Sequence, residues 1–427
     1  MNVLVITDVL WRDDNGVGNS YSNIFNGIES ASFANICCQC GRSENNVSKV
    51  CFQISETTLV KNLNNRQISS GNVEKKDTAT SNTVSKENRF LVKIKKSRLQ
   101  IFFWLRNFIW KIGKWKSKEL REFIDDFKPD IIFAQVQDKM YLNNLVRYVK
   151  DYTNKPLFLY AWDDVYSLKQ FSFSPLFWID RFFQRRSIRK LVKKCEILYT
   201  ISEEQKLEYA KTLKAHTELL YKGYDFNDDT LKVDKQVNSP IKILYTGNLY
   251  SGRYKTLKKF CKELNFINQS GQVANLEIYS ATPLSKKQKE KLNYINSSCF
   301  LGKVSEKEVQ DLQQKADVLL HIEPFSLKGS LLCRLSFSTK LVDYFYNRKC
   351  VFALGHKRCS SIKYLKRYDA AIVVDKLNDV KSILKDLLSD TEVLQTYKQK
   401  AYKCGYNNHQ ITNIQENLLK EFNKHVL

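Results

Sequence analysis

The sequence predicts an α/β protein made of two doubly wound domains, and three observations support this fold class. Short apolar runs recur along the chain, each followed by a turn signal and then by a helical pattern. Buried strands that alternate with helices are typical of parallel sheets covered on both faces. The 427 residues exceed one ordinary hydrophobic core, and the apolar runs fall into two sets.

The first set of predicted strands lies at 2–6, Ile131–Ala134, Leu157–Ala161 and Ile197–Ile201. The second set lies at Ile241–Tyr245, Leu276–Tyr279, Val318–His321, Val351–Leu354 and Ala370–Val374. Helical patterns separate these strands, for example at 306–316 and 376–389.

The two sets define the predicted domains. We expect an N-terminal domain over 1–222, a C-terminal domain over 240–390, and final helices over 391–427 that cross back to the first domain. The stretch 222–240 between them is polar and acid-rich, and Pro240 stands directly before a new strand.

Residues 62–88 form the most polar stretch of the first domain. They are rich in Asn, Ser, Thr and Lys and nearly lack apolar side chains. We interpret them as a flexible surface loop inserted in the first domain.

The chain is strongly basic, with a formal net charge of +24 and a pI near 9.4. Such an excess favours polyanionic partners, which include nucleic acid, an anionic membrane surface and phosphorylated substrates. Composition does not choose among these three. Because no helix-turn-helix, RNP or KH pattern is present, nucleic acid is not the expected partner.

Cysteine usage predicts a reducing compartment. The chain has eleven cysteines, an odd number, and no CxxC pairs with a second CxxC or with two histidines. A zinc site is therefore not expected, and unpaired cysteines fit the cytoplasm. Met1 leads directly into a strand-like run, and no window holds eighteen uncharged apolar residues. We expect neither a signal peptide nor a transmembrane helix.

Two segments, 98–118 and 176–194, combine basic and aromatic residues. Between Arg89 and Glu122, eleven Lys and Arg residues face two acidic ones, and 176–194 holds seven basic residues and one acid. In the first segment an apolar face at helical spacing comprises Ile101, Trp104, Leu105, Phe108, Ile112 and Trp115, flanked by Arg106, Lys111, Lys114 and Lys116. The second interleaves Phe177, Trp178, Phe182 and Phe183 with its basic residues. Such segments suit a helix in the headgroup region of an anionic leaflet, or a core-facing helix with a solvated basic back.

Polar loops follow two strands of the first domain. After the first strand, the loop from Trp11 to Ser20 contains Gly16 and Gly18, which would let backbone amides approach a phosphate or sugar. A plain strand-to-helix turn explains the same loop equally well. Asp163 and Asp164 close the strand Leu157–Ala161, where catalytic carboxylates are displayed. Because only one of the two is needed to cap the next helix, we expect the other to be functional.

Polar loops also follow two strands of the second domain. Gly247 and Asn248 end one strand, and Arg253 opens a basic helix whose N-terminus favours an anion. His321-Ile322-Glu323 ends another strand. The run Ser338-Thr339-Lys340 opens the next helix, and Asp343 lies one turn further on. We expect Ser338 and Thr339 to cap this helix, Lys340 and the free amides to meet a diphosphate, and Asp343 to accept hydrogen bonds from ribose.

These motifs resemble those of the family 4 glycosyltransferases and their relatives with the GT-B fold. The family pattern G-R-L-x-x-x-K-G corresponds to Gly247–Arg253, so that Asn248 replaces the arginine and Arg253 the lysine. Lys255 or Lys258 could supply the lost cation. In the family's E-x7-E motif, the second glutamate corresponds to Asp343 and the first to Leu335, and Glu323 is a candidate replacement. The N-terminal P-x-V-x-T-x-H-D corresponds to 156–163, with Trp162 in place of the histidine.

The resemblance implies two doubly wound, Rossmann-like domains facing each other across a cleft. It implies that the N-terminal domain binds the acceptor, near Trp11–Gly18 and Asp163, and that the C-terminal domain binds the nucleotide sugar. It also implies transfer of a sugar from a nucleoside diphosphate sugar, such as a UDP-sugar, to a glycan or lipid-linked saccharide in cell-surface polysaccharide synthesis. Family 4 enzymes retain anomeric configuration and need no bound metal, so no cofactor is expected. The implied catalytic residues are Asp163, Arg253, Lys340 and Glu323. The candidate donor-binding residues are Gly16, Gly18, Gly247, Asn248, Lys258, Ser338, Thr339 and Asp343.

A lipid-diphosphate acceptor would account for the segments 98–118 and 176–194. The enzyme would then be cytoplasmic and bound peripherally at the inner face of the membrane. The alternative is a GT-B protein that has lost catalysis and acts as a basic module binding nucleic acid or an anionic membrane. The replaced glutamate and histidine keep this alternative open.

Overall fold

A computed structural model describes residues 1–75, 100–227 and 236–426. The chain forms two parallel-sheet α/β domains, with one antiparallel strand at the edge of the first sheet. The first sheet contains β1 (Asn2–Thr7), β2 (Ser32–Cys37), β3 (Ser48–Ile54), β4 (Gly71–Lys75), β5 (Ile131–Gln135), β6 (Leu157–Ala161), β7 (Ile197–Thr200) and β8 (Thr217–Leu219). The second contains β9 (Ile241–Thr246), β10 (Ala274–Tyr279), β11 (Ser298–Gly302), β12 (Val318–Ile322), β13 (Cys350–Leu354) and β14 (Ile372–Val374).

Helices cover both sheets. Those of the first domain are α1 (Gly16–Phe25), α2 (Glu56–Asn64), α3 (Gln100–Ile112), α4 (Lys118–Phe127), α5 (Met140–Thr153), α6 (Pro175–Val192) and α7 (Glu203–Leu213). The second domain has α8 (Arg253–Ile267), α9 (Lys286–Glu290), α10 (Glu306–Lys315), α11 (Leu327–Leu332), α12 (Lys340–Tyr346), α13 (Ser360–Arg367) and α14 (Val380–Ser389). The chain then runs through α15 (Thr391–Asn408) and α16 (Ile411–Val426).

Strand order places a crevice in each sheet. The first sheet has the order β4-β3-β2-β1-β5-β6-β7-β8, and the second has the order β11-β10-β9-β12-β13-β14. The order reverses between β1 and β5 and between β9 and β12, where loops diverge at the carboxyl ends of the strands. These switch points are where ligands bind in doubly wound folds.

All predicted strands are present, and five further strands were not predicted. The predicted strands are almost wholly apolar and buried. In contrast, β2 buries Asn35, whose amide donates to the Val5 carbonyl at 3.0 Å, and β11 is a half-exposed edge strand.

The prediction of a flexible loop over 62–88 is wrong in its first part, because 62–64 end α2 and 71–75 form β4 against β3. Residues 76–88 lie outside the described residues.

The last helix packs on the first sheet although it follows the second domain. The ring of Phe422 lies 4.7 Å from that of Phe158, measured between centroids. The Gln415 side chain donates to the carbonyls of Ile24 and Asn26. The final helix therefore ties the end of the chain to the N-terminal domain.

A second connection between the domains lies beside the cleft, at residues 333–336. Leu335 is fully buried in the core cluster of the first domain, and its carbonyl accepts from Ser202 Oγ at 2.7 Å. Arg334 forms ion pairs with Glu208 and Asp164 of the first domain. The domains are thus held together by both apolar burial and ion pairs.

Candidate functional site

Arg253 and Glu323 form a buried ion pair at the crevice between β9 and β12. Gly252, with φ of +98°, turns the chain into α8 and places Arg253 at its first position. Arg253 Nη2 donates to Glu323 Oε2 at 2.8 Å, and its Nε donates to the Ile322 carbonyl at 3.1 Å. Burial lowers the pKa of Arg253, but Glu323 outweighs this effect and raises it above its ordinary value. Arg253 therefore stays charged at the mouth of the crevice.

Lys340 is a second cation in the same crevice. Its ammonium donates to the Thr246 carbonyl at 3.0 Å, at the end of β9. A β-carbon on Gly247 would stand 2.7 Å from Lys340 Nζ, so the glycine makes room for the ammonium. Burial and the charge of Arg253 lower the pKa of Lys340 to about 8. The positive charges of Arg253 and Lys340 repel each other, so an anion that binds between them is stabilised.

His321 was not predicted as a site residue, yet it lies beside the ion pair. It is buried on β12, and its Nε2 stands 3.5 Å from Glu323 Oε1. Burial, together with Arg253 and Lys340, lowers the pKa of His321 to about 3. The imidazole is therefore neutral at physiological pH. A buried histidine on an apolar strand resembles an ordinary core residue, so sequence reasoning passed over it.

Asp343 has two partners from the linker between the domains. Its Oδ1 accepts from Lys222 Nζ at 2.6 Å and from the Tyr224 hydroxyl at 2.7 Å. The Asp343 side chain is 23% exposed, so it borders the crevice rather than the core. Neither Lys222 nor Tyr224 belonged to a motif in the sequence.

The expected cap of the helix α12 is not formed. Thr339 occupies the N-cap position with helical angles, φ −60° and ψ −21°, and its side chain makes no capping bond within the described residues. The amide of Ser338 donates to Ser361 Oγ at 3.0 Å. The prediction that Ser338 and Thr339 cap this helix is wrong, and the Ser338 amide is not available to a diphosphate.

Asn248 and Lys258 occupy different positions relative to Arg253. Asn248 Oδ1 accepts from Arg253 Nη1 at 3.4 Å, and its carbonyl accepts from the Tyr245 hydroxyl at 2.7 Å. Lys258 lies five residues after Arg253 in α8, about 140° around the helix. The structure thus brings Asn248 to the crevice but turns Lys258 away from Arg253.

Gly16 and Gly18 begin α1 beyond the end of β1. The amide of Gly18 donates to Asn15 Oδ1 at 2.8 Å, and a β-carbon on Gly18 would stand 2.1 Å from the Arg12 carbonyl oxygen. The Arg12 backbone therefore lies so close to position 18 that only glycine fits there. Around Gly16, no described atom lies within 4 Å of an added β-carbon.

The two aspartates after β6 have different surroundings. Asp164 is buried and accepts from the Ser167 amide at 2.8 Å, which closes a turn. Its carboxylate also pairs with Arg181 and Arg334. Asp163 is exposed in the cleft, where its Oδ1 accepts from Ser336 Oγ at 2.8 Å. Asp164 therefore stabilises the turn, and Asp163 is the aspartate that is exposed at the cleft.

The first basic aromatic segment exposes the apolar side of α3. Trp104, Leu105, Phe108 and Ile112 are 37–55% exposed. Arg106 points inward, where its guanidinium donates to the buried Glu56 at 2.7 Å. The interpretation of this apolar face as core-facing is therefore wrong. The predicted positions of Arg106 and Trp115 are also wrong. Arg106 is internal, and Trp115, at 8% exposure, is buried beyond the helix. The side chains of 100–103 lie outside the described set.

The second segment, α6, also turns apolar residues outward. Its first half buries Asp180 and Arg181. Leu176, Ile179, Phe182 and Phe183 are 48–63% exposed. Polar residues of α3 and α6, among them Arg106 and Gln184, line one small cavity. Across 1–75, 100–227 and 236–426, no helix has the length and apolar character needed to span a membrane.

Two doubly wound domains that face each other across a cleft define the GT-B fold, as the sequence predicted. Solved structures match over the full length. Anabaena HepE in complex with UDP has a TM-score of 0.63 and 10% identity, and the match covers 99% of this chain and 100% of that one. Sucrose-phosphate synthase from Thermosynechococcus elongatus has a TM-score of 0.60 and 10% identity, with 99% of each chain covered. Trehalose-6-phosphate synthase OtsA has a TM-score of 0.61 and 11% identity, also with 99% of each chain covered.

No protein-family model matches the chain, and no curated protein matches it. At 10–11% identity, these structural likenesses show the shared fold alone.

Proposed function

We propose that the protein is a glycosyltransferase that moves a sugar from a UDP-sugar to an acceptor hydroxyl. The observation that carries the proposal is the convergence of Arg253 and Lys340 at the β9–β12 switch point, beside Gly247. The pair matches the charge of a diphosphate, and Gly247 leaves room for the Lys340 ammonium. Anabaena HepE, which shares the fold, has been solved with UDP and with UDP-glucose.

The proposed chemistry uses the two cations to stabilise the leaving group. The bond between the anomeric carbon and the diphosphate oxygen breaks, and negative charge grows on the diphosphate. Arg253 and Lys340 are already in place for that charge, so little reorganisation is needed. The acceptor oxygen forms the new glycosidic bond to the anomeric carbon as its O–H bond breaks, and the proton passes to an oxygen of the departing diphosphate. Asp163, exposed in the cleft, is the candidate to orient the acceptor hydroxyl.

Glu323 is our candidate for the role of the family glutamate that Leu335 replaces. Leu335 is buried in the core of the first domain and carries no polar group. Glu323 is the carboxylate that lies at the crevice, held by Arg253. We propose that Asp343 binds ribose through the side of its carboxylate away from Lys222. Retention of anomeric configuration, metal independence and a role in polysaccharide assembly rest on the family resemblance alone.

Calorimetric titration with UDP and a panel of nucleotide sugars tests the donor site. We expect UDP to bind and Lys340→Ala to weaken it at least tenfold, since a charge-assisted hydrogen bond contributes about 1.5–3 kcal/mol. The matched control is Lys262→Ala, which removes an exposed lysine from the same helix as Arg253. If UDP binding in Lys340→Ala equals that in the control, the donor site is misplaced. If the wild-type protein binds no nucleotide sugar, the alternative of a lapsed enzyme is favoured.

We further propose that an anionic bilayer covers the exposed apolar sides of α3 and α6. The exposed cations on these helices and directly after α3 complement an anionic leaflet. They are Lys111, Lys114, Lys116, Arg186, Arg189 and Lys190. Aromatic side chains beside lysines and arginines are typical of helices that lie in the headgroup region. Other residues of α6 line, together with Asp163, a cavity in the cleft, which suits an acceptor carried on a lipid.

Co-sedimentation with vesicles of phosphatidylcholine, with and without phosphatidylglycerol, tests this face. We expect binding only to the anionic vesicles and its loss on Phe182→Glu with Phe183→Glu. The control is Ile295→Glu, which alters a residue that is 90% exposed in the other domain. Equal sedimentation of both variants would show that α6 does not contact the membrane.

A further inference from the structure

A large cavity lies on the outer side of the N-terminal domain, outside the cleft. Its volume is about 710 Å³, within the range of roughly 300–1,000 Å³ that holds small ligands. Its wall is formed by the end of α3 and the loop after it, by residues 144–151 of α5, and by Lys194, which follows α6. The carboxyl ends of β5 and β6 lead instead into the first residues of α5 and α6. The cavity therefore lies away from the edge of the sheet that faces the cleft.

Cations from three separate parts of the chain converge on this cavity. Among its described lining residues they outnumber carboxylates five to one. The carboxylate, that of Asp151, already accepts from Lys194 Nζ at 2.6 Å. The cations are Lys111, Lys114, Lys116, Arg147 and Lys194. The described residues therefore leave most of the positive charge of this cavity uncompensated.

Two of these cations are held at the wall by groups that carry no charge. Lys116 Nζ lies 5.3 Å from the ring centroid of Trp115 and 5.2 Å from that of Tyr148. Arg147 is half-buried, and its Nη2 donates to the amide oxygen of Asn144 at 2.8 Å. Neither cation forms an ion pair with another described residue. Such contacts position a cation without neutralising it, so both cations can pair with an anion in the cavity.

This arrangement suits a phosphate monoester better than an anion with a single charge. A phosphate monoester carries about −1.5 to −2 charges at pH 7 and offers three acceptor oxygens. The guanidinium of Arg147 can bind two such oxygens side by side, and the lysines supply point charges around them. The rings of Trp110, Trp115 and Tyr148 line another part of the cavity, which suits the carbon skeleton of the ligand.

We propose that this cavity is a second ligand site, which binds a phosphate monoester and is separate from the β9–β12 crevice. The phosphate belongs either to a soluble molecule or to the headgroup of a membrane lipid. Lys111 follows the exposed Phe108 by three residues, so the cavity adjoins the apolar side of α3 that a bilayer would cover. The site does not depend on glycosyl transfer, because none of its residues belongs to the proposed donor site.

Two measurements on the full chain test the site and the source of the phosphate. Calorimetric titration with glycerol 3-phosphate, in the presence of excess UDP, tests a soluble ligand. Co-sedimentation with phosphatidylcholine vesicles tests a lipid headgroup. These vesicles contain either phosphatidic acid, which is a phosphate monoester, or phosphatidylglycerol, which is a diester, at the same surface charge. We expect glycerol 3-phosphate to bind without displacing UDP, or phosphatidic acid vesicles to bind about tenfold more tightly than phosphatidylglycerol vesicles.

Variants of the wall then assign the binding to this cavity. Lys194→Gln and Arg147→Gln should each weaken the ligand that binds about tenfold. The matched control is Lys193→Gln, which removes an exposed lysine from the neighbouring position outside the cavity and should leave binding unchanged. Because Lys194 is also exposed, its replacement leaves the core intact.

Three results would overturn the proposal. In the first, glycerol 3-phosphate does not bind and phosphatidic acid vesicles bind no more tightly than phosphatidylglycerol vesicles. In the second, glycerol 3-phosphate binds only by displacing UDP. In the third, Lys194→Gln binds the ligand as tightly as Lys193→Gln does. Failure of the wild-type protein to bind UDP would instead overturn the proposed function, so the two failures are distinguishable.

Discussion

The ammonium of Lys340 occupies the space beside Gly247, where a β-carbon would stand only 2.7 Å from Nζ. The two residues are far apart in the sequence, but strand β9 and helix α12 bring them to one crevice. Their contact explains why a glycine follows β9 and fixes the position of a cation that the proposed donor site requires.

Gly247→Ala should therefore weaken UDP binding with little effect on stability. The new methyl group pushes away the end of a flexible side chain, which moves at small energetic cost. The displaced ammonium then loses its contact with the diphosphate, and we expect about a tenfold loss of affinity by calorimetry. Unchanged affinity would show that the diphosphate does not lie beside Gly247.

The pH dependence of UDP binding should report the lowered pKa of Lys340. In the free protein this pKa is about 8, because burial and Arg253 disfavour the charge. A bound diphosphate favours the charged form, so binding above pH 8 must take up a proton. UDP affinity should fall as pH rises above about 8, by at most about tenfold per pH unit. The second pKa of a phosphate is near 6, so the diphosphate of UDP does not titrate in this window. The uracil imide does lose its proton in alkaline solution, and the Lys340→Arg variant separates that effect from the titration of Lys340.

Lys340→Arg is the control for this pH profile, because the guanidinium stays charged up to pH 12 or beyond. Between pH 8 and 10 its UDP affinity should fall less steeply than that of the wild-type protein, because only the uracil then titrates. Stability of the unliganded protein should change in the opposite direction. Between the folded pKa of about 8 and the ordinary value of 10.5, the unfolded chain binds more protons, so this group makes the free energy of unfolding rise with pH. A UDP affinity that is flat in the wild-type protein contradicts the assignment.

Gly18→Ala should lower the stability of the fold rather than weaken ligand binding. A β-carbon there would stand 2.1 Å from the backbone oxygen of Arg12 and 2.5 Å from its nitrogen, and backbone atoms cannot move aside as a side chain does. We expect Gly18→Ala to lower the free energy of unfolding by roughly 1–3 kcal/mol in urea titration. Gly16→Ala, which meets no described atom within 4 Å, should stay within about 0.5 kcal/mol of wild type. Equal stability of the two variants would refute this reading.

How far the sequence could predict the site follows from where each residue lies in the chain. Arg253 could be found because it closely follows a buried apolar strand, and Lys340 because the polar run Ser338–Lys340 opens a helical pattern. Asp343 could be found in the same way, but not its partner Lys222, which lies 121 residues away in the linker. No local pattern encodes such a contact, because it depends on how the two domains meet.

The errors have equally physical causes. The predicted side-chain cap on α12 is not formed because Thr339 adopts helical angles, whereas a capping residue needs an extended backbone. The strand β2 escaped detection because Asn35, buried and bonded to neighbouring backbone, interrupts its apolar pattern. The inward position of Arg106 depends on Glu56, a buried partner from another helix. Each case turns on a tertiary partner that the local sequence does not contain.

Two arginines of the second domain, Arg334 and Arg367, pair with carboxylates of the first domain, and their pairs should differ sharply in energetic weight. The Arg334 side chain is 11% exposed and pairs with Glu208 and with Asp164, which is 2% exposed. Arg334→Ala leaves the buried Asp164 with Arg181 as its remaining cation, so we expect a loss of at most about 3–5 kcal/mol, the range for removing one partner of a buried pair. The Arg367 side chain is 43% exposed in its pair with Glu204, and exposed pairs contribute about 0–1 kcal/mol. Thermal unfolding of both alanine variants should therefore show a large loss for Arg334 and almost none for Arg367. Small-angle scattering should also show a larger radius of gyration for Arg334→Ala, because the segment 333–336 no longer holds the cleft. Similar melting temperatures for the two variants would mean that the apolar burial of Leu335, rather than the ion pairs, joins the domains.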